Sequence, residues 1–440
     1  MCQNPQDYLS EEAYNTQADA LAVALPENTA QVAELMKFAA EHHLAIVPQG
    51  GNSNRTRAAI PEIDRESIII NMRNMRKICV HANTMTADAG CTLAEVQAAA
   101  NNSNQIFGID LGARDWCQIG GNIATNAGGM HCIRYGNMRE QVLGLEVVSP
   151  DGTILNMMNS LQKNNTGYDL KQLYIGSEGT LGIITRAVLK LHPKPQHLQS
   201  VVLACDTLEK ALVFLQNTQA RWGTSLHRIE YISPACQETV SKTTACPALP
   251  FSPFPEALLI LELADIPTPE PLYDWLNEQI STSVISDAIP AQNHAQSAQW
   301  WQIRERCGGV NARISKQIKH DLAVPTEQLP RFIRAAEAAL AQYFPNMRPL
   351  PFGHWGDGNL HYNIAPVSPN EDITPHTEAI NRLIEDIVQE HHGTFSAEHG
   401  IGVTKKSALK RLKDPATLAL MQQIKKSLDP KNIMNPNKVL

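Results

Sequence analysis

The chain contains 440 residues, 43% of them hydrophobic and 18% charged, which indicates a globular protein of two or three domains and excludes a disordered chain. Its 37 basic and 44 acidic residues give a net charge of −7, which disfavours general binding to nucleic acid. No run approaches the roughly 18 apolar residues of a membrane-spanning helix. Nine scattered cysteines without a C-x-x-C motif predict neither a disulfide framework nor a cysteine-ligated metal, and favour a reducing cytoplasm. The N-terminus resembles neither a secretory signal nor a transit peptide.

The first 190 residues alternate between helix and strand signals. Asn28 can cap a helix over 29–42, and Thr92 with Glu95 forms a capping box before a second helix over 93–100. Short apolar runs and one turn-forming segment predict strands at 44–48, 67–70 and 182–191 and a hairpin over 145–155. The segment His192-Pro193-Lys194-Pro195 then marks a domain boundary. Beyond it, amphipathic patterns predict helices over 292–317 and 326–343.

Three glycine-rich segments lie in the first half of the chain, at 48–54, 119–129 and 175–182. Glycine lets backbone N–H groups approach a ligand closely, and successive N–H groups bind anions. None of the segments matches G-x-G-x-x-G after a first strand or the phosphate-binding loop of nucleotide triphosphatases. They could be tight turns between strands, but three together favour a large nucleotide held by several loops.

A histidine cluster follows in the second half, in GHWGDGNLHYNI (353–364) and SAEHGIG (396–402). If 359–364 is a strand, its alternate residues share one face, and His354 can fold back to meet His361. These two histidines with Glu398 are a ligand set typical of a catalytic divalent metal with an open position, and His399 could act as a base beside it. The alternative is that these histidines are structural.

The segment 300–321 is locally basic in an acidic protein. Arg304 and Lys319 belong to it, and arginine binds carboxylates bidentately. The segment is therefore either a carboxylate-binding patch or a solvated helix face.

The glycine-rich motifs LGARDWCQIGGNIATNAGGMHCIRYG (111–136) and NNTGYDLKQLYIGSEGTLGIIT (164–185) resemble the FAD-binding domain of the vanillyl-alcohol oxidase and p-cresol methylhydroxylase superfamily. Together with FGHWGDGNLHYNI, SAEHGIG and the final NPNKVL, they are most similar to the family of D-2-hydroxyglutarate, D-lactate and glycolate dehydrogenases. The resemblance implies an α+β fold. An FAD-binding domain of two α+β subdomains would cover 1–194, an antiparallel-sheet cap domain with helices 195–420, and a tail returning to the first domain 421–440.

The resemblance also implies FAD contacts from all three glycine-rich segments and the tail. Because the first segment has no histidine, we expect the flavin to be non-covalent. The implied contact residues are Pro48, Gly50, Gly51, Asn52, Ser53, Gly120, Gly121, Asn122, Thr125, Asn126, Gly128, Gly129, Glu178, Gly179, Ile183 and Asn437.

In the similar dehydrogenases the two histidines of the GHxGDGNLH motif and the glutamate of the AEHG motif hold a zinc-like divalent ion. The resemblance therefore implies that His354, His361 and Glu398 are metal ligands and that His399 is the general base.

The resemblance further assigns the substrate carboxylate to Arg304 and Lys319, with Asn363 on the substrate side. The implied reaction is oxidation of a D-2-hydroxy acid to the 2-oxo acid, with hydride passing to the flavin. D-2-hydroxyglutarate is the first choice of substrate, and D-lactate or a glycolate-type acid is the alternative. Gly308 departs from the family, where a threonine contacts the substrate, and so do Arg55 and Arg57.

Electrons must leave to a separate acceptor, an electron-transfer flavoprotein or a quinone, because no cysteine cluster supplies a relay. The expected location is cytoplasmic, with peripheral membrane attachment and a homodimer left open. Two other functions are also left open. One is a metallohydrolase built on the histidine cluster, and the other is a flavin subunit that needs a partner for turnover.

Overall fold

The computed structural model describes residues 8–9, 18–62, 65–243, 247–314, 316–368 and 371–440, without the side chains of 309–315. The chain forms two compact units. The first comprises Met1–Gly129, Tyr135–Lys194 and Glu398–Leu440, and the second comprises Met130–Arg134 and Pro195–Ala397. The division after 194 coincides with the predicted boundary. The second unit, however, ends at 397 rather than 420, and it takes in residues 130–134.

The first unit contains a parallel and an antiparallel sheet. From the N-terminus to residue 194 the elements are β1 (Ala22–Ala24), α1 (Thr29–His42), β2 (Ala45–Gln49), β3 (Ser67–Asn71), β4 (Ile78–Val80), β5 (Thr84–Asp88), α2 (Leu93–Asn102), β6 (Gln105–Ile106), α3 (Ile119–Ala124), α4 (Cys132–Tyr135), α5 (Met138–Gln141), β7 (Val142–Val148), β8 (Ile154–Met157), α6 (Lys171–Tyr174), β9 (Ile183–Lys190) and β10 (His192–Pro193). Strands β1-β3-β2 form the parallel sheet, β4-β5-β9-β7-β8 the antiparallel sheet, and β10 pairs with β6.

The predicted starts of the first two helices are confirmed, whereas the helices predicted from 292 and 326 begin at His294 and Leu329. The Asn28 side chain accepts a hydrogen bond from the N–H of Gln31 at 3.0 Å, and Thr92 with Glu95 forms the capping box of α2. These caps satisfy N–H groups that have no partner within the helix, which is why α1 and α2 begin where the sequence predicts.

The second unit is a seven-stranded antiparallel sheet covered by helices. Its elements in chain order are β11 (Gln199–Cys205), α7 (Leu208–Trp222), β12 (Leu226–Ile232), α8 (Pro234–Ser241), β13 (Ala257–Leu263), α9 (Glu270–Ser281), β14 (Asp287–Pro290), α10 (His294–Ile314), β15 (Ile318–Ala323), α11 (Leu329–Tyr343), β16 (Met347–His354), β17 (Asn359–Pro366) and α12 (Thr377–Glu390). The strand order is β14-β11-β13-β12-β16-β17-β15. Short 3₁₀ turns lie at Gly223–Ser225, Thr326–Gln328 and Thr374–His376.

The two faces of this sheet differ in character. One face packs against α7, α9, α11 and α12 in a large apolar core that includes Phe214, Phe332 and Tyr362. On the other face, Ile232 and Phe352 pack against residues of α8 and α10. Because strand side chains alternate, β17 sends Leu360, Tyr362 and Ile364 into the large core and Asn359, His361 and Asn363 to the opposite face, as predicted.

The α10 side of the sheet bears a group of polar side chains that we call the polar row. Its members face one another across neighbouring strands, because directly opposed residues of an antiparallel pair lie on the same face. The opposed pairs are Glu230 with His354, His354 with Asn359, Asp321 with His361, and Lys319 with Asn363.

Chain segments after 397 belong to the first unit, where α13 (Lys406–Leu412) and α14 (Pro415–Leu428) are followed by the tail. Lys425 donates to the carbonyl of Thr180 at 2.8 Å and to that of Met434 at 2.7 Å. The N–H of Ile46 in β2 donates to Ile433 O at 2.7 Å, and Ile46 O accepts from the N–H of Asn435 at 2.7 Å. These hydrogen bonds explain why the last 43 residues leave the second unit, a change that no shift in composition announces.

Candidate active site

The three glycine-rich segments converge in the first unit. A Cβ atom on Gly51 would lie 1.8 Å from the carbonyl oxygen of Trp116, and one on Gly179 would lie 2.9 Å from Cγ of Pro48. The N–H of Glu178 donates to Ala124 O at 2.8 Å. These approaches explain the glycines at 51 and 179, and they place the third segment against the first and the second. A Cβ on Gly50 would lie 3.8 Å from Cα of Gly121, so the first segment also lies against the second.

A cavity of about 940 Å³ opens beside Gly51 of the first segment and beside Trp116 and Gln118, which precede the second segment. Its lining residues are Glu27, Asn28, Gly51, Arg73, Asn74, Arg76, Lys77, Trp116 and Gln118. Among the residues described, Oε1 of Gln118 is a buried acceptor without a hydrogen-bond partner, and a Cβ on Gly121 would meet no atom within 4 Å. A buried acceptor and three cationic side chains, of which Arg76 also pairs with Glu95, fit a ligand that brings both hydrogen-bond donors and phosphate, and the open backbone at Gly121 lies next to Gly50 of the first segment. The segments therefore fit FAD.

The side chains of the second segment are used in local contacts. Asn122 donates to Sγ of Cys117 at 3.5 Å, Thr125 donates to the carbonyl of Gly121 at 3.1 Å, and the Asn126 side chain accepts from the N–H of Arg139 at 2.9 Å. These contacts hold the segment in shape, so its backbone is the part most available to a ligand.

The remaining implied FAD residues lie in different surroundings. Ser53 is exposed, whereas Gly120, Gly128, Gly129 and Ile183 are buried, with Ile183 at the start of β9. Asn437 of the tail is also exposed. Its neighbour Asn435 is buried and donates to the carbonyl oxygens of Ala58 at 3.0 Å and Glu178 at 2.8 Å. The sequence analysis missed Asn435, although it stands in the same NPNKVL motif.

The two histidines of the predicted metal site lie close together in the second unit. His354 ends β16 and His361 lies on β17, and their ring centroids are 5.4 Å apart. Asp357, between them, closes the connecting turn by accepting from the N–H of Asn359 at 3.1 Å. The turn thus brings the histidines together without Asp357 as a ligand.

The loop after α12 brings Glu398 to the same place. It is fixed to β15 by the N–H of Thr394, which donates to Ala323 O at 2.7 Å, and by the N–H of Ala397, which donates to Asp321 O at 3.4 Å. Glu398 follows Ala397 directly. His354, His361 and Glu398 offer ligand atoms that all lie within 4.8 Å of one another, the one such group among the described residues. Two imidazoles and a carboxylate suit a divalent transition metal with a free position for substrate.

Glu230 on β12 is a second residue that was not predicted from the sequence. It is fully buried, and its carboxylate accepts from Nε of Arg304 and lies 2.7 Å from Nδ1 of His354. Burial raises the pKa of Glu230, but the charges of Arg304 and His354 oppose this and lower the pKa to about 2. A carboxylate on Nδ1 leaves Nε2 to bind a metal, the arrangement usual behind metal-bound histidines. Nothing near Glu230 in sequence indicates this role, since the contact spans 124 residues.

Arg304 and Gly308 lie one helical turn apart on α10, above Phe352. The guanidinium carbon of Arg304 is 4.8 Å from the Phe352 ring centroid, and that ring is 5.1 Å from the ring of His361. A Cβ on Gly308 would come no closer than 3.9 Å to Phe352. Arg304 donates its hydrogen bond to Glu230 through Nε.

Lys319 and Asn363 are directly opposed in the ladder between β15 and β17. Lys319 is exposed and Asn363 is 4% exposed, and both lie on the face of His361. The second unit therefore brings the three predicted substrate residues to one side of one sheet.

His399 lies in the first unit, in the segment that follows Glu398. Its carbonyl oxygen accepts from Nδ2 of Asn54 at 3.1 Å. The Glu178 carboxylate, predicted to contact FAD, accepts from the N–H groups of Ile401 at 2.7 Å and Gly402 at 2.8 Å. Burial raises the pKa of Glu178, and these two N–H groups oppose the shift.

Comparison with protein-family models identifies the class. Residues 20–158 match the FAD binding domain, and residues 194–439 match the FAD linked oxidases, C-terminal domain. The second match covers more than half of the chain, so the protein is an FAD-linked oxidoreductase. Within the described residues, no helix has the length and apolar character needed to cross a membrane.

Similar proteins show to which family of FAD-linked oxidoreductases the chain belongs. The chain is 34% identical over 422 residues to the mitochondrial D-2-hydroxyglutarate dehydrogenase of Arabidopsis thaliana, covering 94% of this chain and 74% of the relative. It is 33% identical over 426 residues to the D-2-hydroxyglutarate dehydrogenase of Xanthomonas citri pv. viticola, covering 95% and 89%. The chain belongs to the family of FAD-dependent D-2-hydroxy acid dehydrogenases that includes these relatives.

Solved structures support the α+β fold. p-Cresol methylhydroxylase with substrate bound matches with a TM-score of 0.75 at 14% identity, over 99% of this chain and 92% of that one. Alkyldihydroxyacetonephosphate synthase matches with a TM-score of 0.71 at 20% identity, over 94% and 76%. At these identities the likeness concerns the fold alone, and it confirms the predicted fold class.

Proposed function

We propose that this enzyme oxidises D-2-hydroxyglutarate to the 2-oxo acid. The observation that carries the proposal is the convergence of His354, His361 and Glu398 on the sheet face that bears Lys319, with Arg304 of α10 packed on Phe352 beside His361. A 2-hydroxy acid offers a hydroxyl and a carboxylate that can share one metal, and a diacid offers a second carboxylate for arginine or lysine. The names of the relatives point to the same substrate.

The metal ligands in this proposal are His354, His361 and Glu398, with zinc as the expected ion. Glu230 holds His354 in the tautomer that leaves Nε2 for the ion. A divalent ion in this position supplies Lewis acidity, which lowers the pKa of the substrate hydroxyl.

Residues other than the proposed metal ligands bind the substrate and transfer the proton. Arg304 and Lys319 bind the carboxylates and Asn363 orients the substrate, which fixes C2 and the hydroxyl for reaction. His399 accepts the hydroxyl proton as general base. The glycine-rich segments hold FAD, which supplies the two-electron acceptor for the hydride that leaves C2. Loss of one proton and one hydride converts the alcohol to the ketone.

Reoxidation requires a separate acceptor, for which an electron-transfer flavoprotein or a quinone is proposed. The cytoplasmic location, the homodimer and the identity of the metal stay predictions. D-lactate is the second candidate substrate, because Gly308 provides no side chain beside Arg304 and Phe352 where the similar dehydrogenases have a threonine.

Steady-state turnover with an artificial electron acceptor tests the substrate. We expect the highest kcat/KM with D-2-hydroxyglutarate among D- and L-2-hydroxyglutarate, D-lactate and glycolate. Higher kcat/KM with D-lactate would reassign the substrate. Turnover of none by a yellow, metal-loaded protein would contradict the proposal and favour the partner-dependent subunit, and a colourless protein that hydrolyses esters or amides would favour the metallohydrolase.

A pair of lysine variants tests the carboxylate contact. Lys319→Met should raise KM for D-2-hydroxyglutarate about tenfold or more, since a charge-assisted hydrogen bond contributes roughly 1.5–3 kcal/mol. Lys316→Met is the matched control, because Lys316 is an exposed lysine that precedes β15 and lies outside the polar row. Equal effects of the two variants would show that Lys319 acts only through general charge.

A further inference from the structure

The segment 398–403, which holds His399, contains no helix or strand. Such a segment has no hydrogen-bond ladder of its own, so its conformation depends on what the neighbouring chain offers to its N–H and C=O groups. A general base must be placed to within a fraction of an ångström, because misplacement by about 1 Å can cost about 100-fold in rate. The residues that bind this backbone therefore bear on the chemistry.

Glu178 makes the strongest of these contacts. Its two carboxylate oxygens separately accept the adjacent N–H groups of Ile401 and Gly402, at 2.7 and 2.8 Å. A carboxylate that accepts two successive amides fixes both peptide planes at once, as anion-binding backbone nests do. Glu178 itself is 7% exposed and has a φ of +51°, so its side chain is held from a constrained turn in the third glycine-rich segment.

Gly400 and Gly402 lie too close to neighbouring chain for a residue with a side chain to replace them. Gly400 has a φ of +80°, and a Cβ there would lie 2.6 Å from Oε1 of Glu178. Gly402 has a φ of +49°, and a Cβ there would lie 2.1 Å from the carbonyl of Thr56. The glycines of the AEHGIG motif thus serve close packing against the cofactor-binding segments, which local turn formation alone would not require.

Asn54, the last residue of the first glycine-rich segment, and Thr56 just after it bind the same backbone. Asn54 donates through Nδ2 to the carbonyl of His399 at 3.1 Å, while its Oδ1 accepts from the N–H of Thr56 at 2.9 Å. The carbonyl of Thr56 accepts from the N–H of Val403 at 2.8 Å, and Gly402 O accepts from the N–H of Val439 in the tail at 2.9 Å. Chain on both sides of His399 is therefore tied to the elements proposed to hold FAD.

We propose that Glu178 and Asn54 are positioning residues for His399, so that the FAD-binding segments also set the placement of the catalytic base. The inference rests on the proposed function for its catalytic meaning, but the placement of the segment can be tested without turnover. In this proposal the Glu178 carboxylate binds the backbone of the segment 398–403, whereas the family resemblance implies that Glu178 contacts FAD.

Hydrogen exchange of residues 398–403 in the FAD-loaded protein is the first test. Glu178→Gln keeps one acceptor oxygen and Glu178→Ala keeps none. Asn54→Asp keeps the Oδ1 acceptor but replaces the donor to His399 by a charged oxygen. We expect exchange of this segment to accelerate about tenfold or more in all three, most in Glu178→Ala. Asp88→Asn is the matched control, since Asp88 is a buried carboxylate of the same unit that accepts the N–H of Lys77 at 3.0 Å. It should leave this segment unchanged.

Kinetics on flavin-normalised enzyme is the second test. Misplacement of the base should lower kcat on the order of 10–100-fold with KM nearly unchanged in Glu178→Gln and Asn54→Asp, but not in Asp88→Asn. Unchanged exchange at 398–403, with flavin loss as the only effect of Glu178→Gln, would overturn the inference. If wild-type enzyme turns over no 2-hydroxy acid while exchange responds as expected, the proposed function fails and the placement of the segment stands.

Discussion

Removal of the Glu230 carboxylate should weaken metal binding, although Glu230 is not itself a ligand. The carboxylate lies 2.7 Å from Nδ1 of His354 and also pairs with Arg304. In Glu230→Gln one acceptor oxygen remains, but the negative charge that stabilises both neighbours is lost. In Glu230→Ala both contacts are lost, and the His354 ring is free to rotate.

The magnitude follows from the two roles of the carboxylate. Loss of a carboxylate behind a metal-bound histidine typically costs about 10–100-fold in metal affinity, which corresponds to about 1.4–2.7 kcal/mol. Glu230→Ala also leaves the guanidinium of Arg304, which is 7% exposed, without its buried partner. Breaking one partner of a buried pair costs about 3–5 kcal/mol in the free energy of unfolding. We therefore expect both effects in Glu230→Ala and mainly weaker metal binding in Glu230→Gln.

Competition with a chromophoric chelator measures zinc affinity, and denaturant unfolding of the metal-free protein measures stability. Glu262→Gln is the matched control, because Glu262 is a buried carboxylate on the same sheet whose hydrogen-bond partners are Arg228 and Ser200 rather than His354. It should lose stability but retain zinc affinity. Wild-type zinc affinity in Glu230→Ala would refute the idea that Glu230 orients His354.

Three further predictions address the cofactor cradle, pH and the substrate pocket. Gly121→Val should fold normally, because a Cβ at Gly121 meets no protein atom within 4 Å, but its side chain should occupy space proposed for FAD and lower the flavin content measured by absorbance. Gly112→Val, also in open space, is the control. Equal flavin content in the two variants would refute the proposed role of Gly121. Burial lowers the pKa of His227 from 6.5 to about 4, so on acidification the unfolded state binds the proton before the folded state does. The free energy of unfolding is therefore full above pH 6.5 and decreases as the pH falls toward 4. Between pH 6.5 and 4, the free energy of unfolding of His227→Gln should change less with pH than that of the wild type, by up to about 1.4 kcal/mol per pH unit. An equal pH dependence in the two proteins would contradict this. Gly308→Thr should be accommodated beside Phe352 and change the ratio of kcat/KM for D-2-hydroxyglutarate and D-lactate, whereas an unchanged ratio would place Gly308 outside the pocket.

Local signals predicted the elements that depend on local physics. The cap at Asn28, the capping box at Thr92 and the alternation of β17 each act within a few residues, and the structure confirms all three. The convergence of His354 and His361 followed from a short turn and a period of two, so the sequence also predicted that part of the candidate metal-binding group.

Contacts between residues far apart in the sequence could not be predicted from local patterns. Glu230 reaches His354 across 124 residues, and Glu178 reaches Ile401 across 223. No periodicity or motif specifies such partners, since they depend on strand order and on how loops pack. The same holds for the end of the second unit at Ala397, which is set by hydrogen bonds such as that of Lys425 with Thr180.

Anaerobic reduction of the bound flavin tests the central claim most directly. The purified protein, with FAD and zinc bound, is mixed with D-2-hydroxyglutarate and the loss of the visible flavin absorbance is followed. We expect rapid bleaching by the D-isomer, none by the L-isomer, loss of bleaching after chelation with FAD retained, and recovery with zinc. Bleaching that survives removal of the metal, or no bleaching by D-2-hydroxyglutarate in the fully loaded protein, would contradict it.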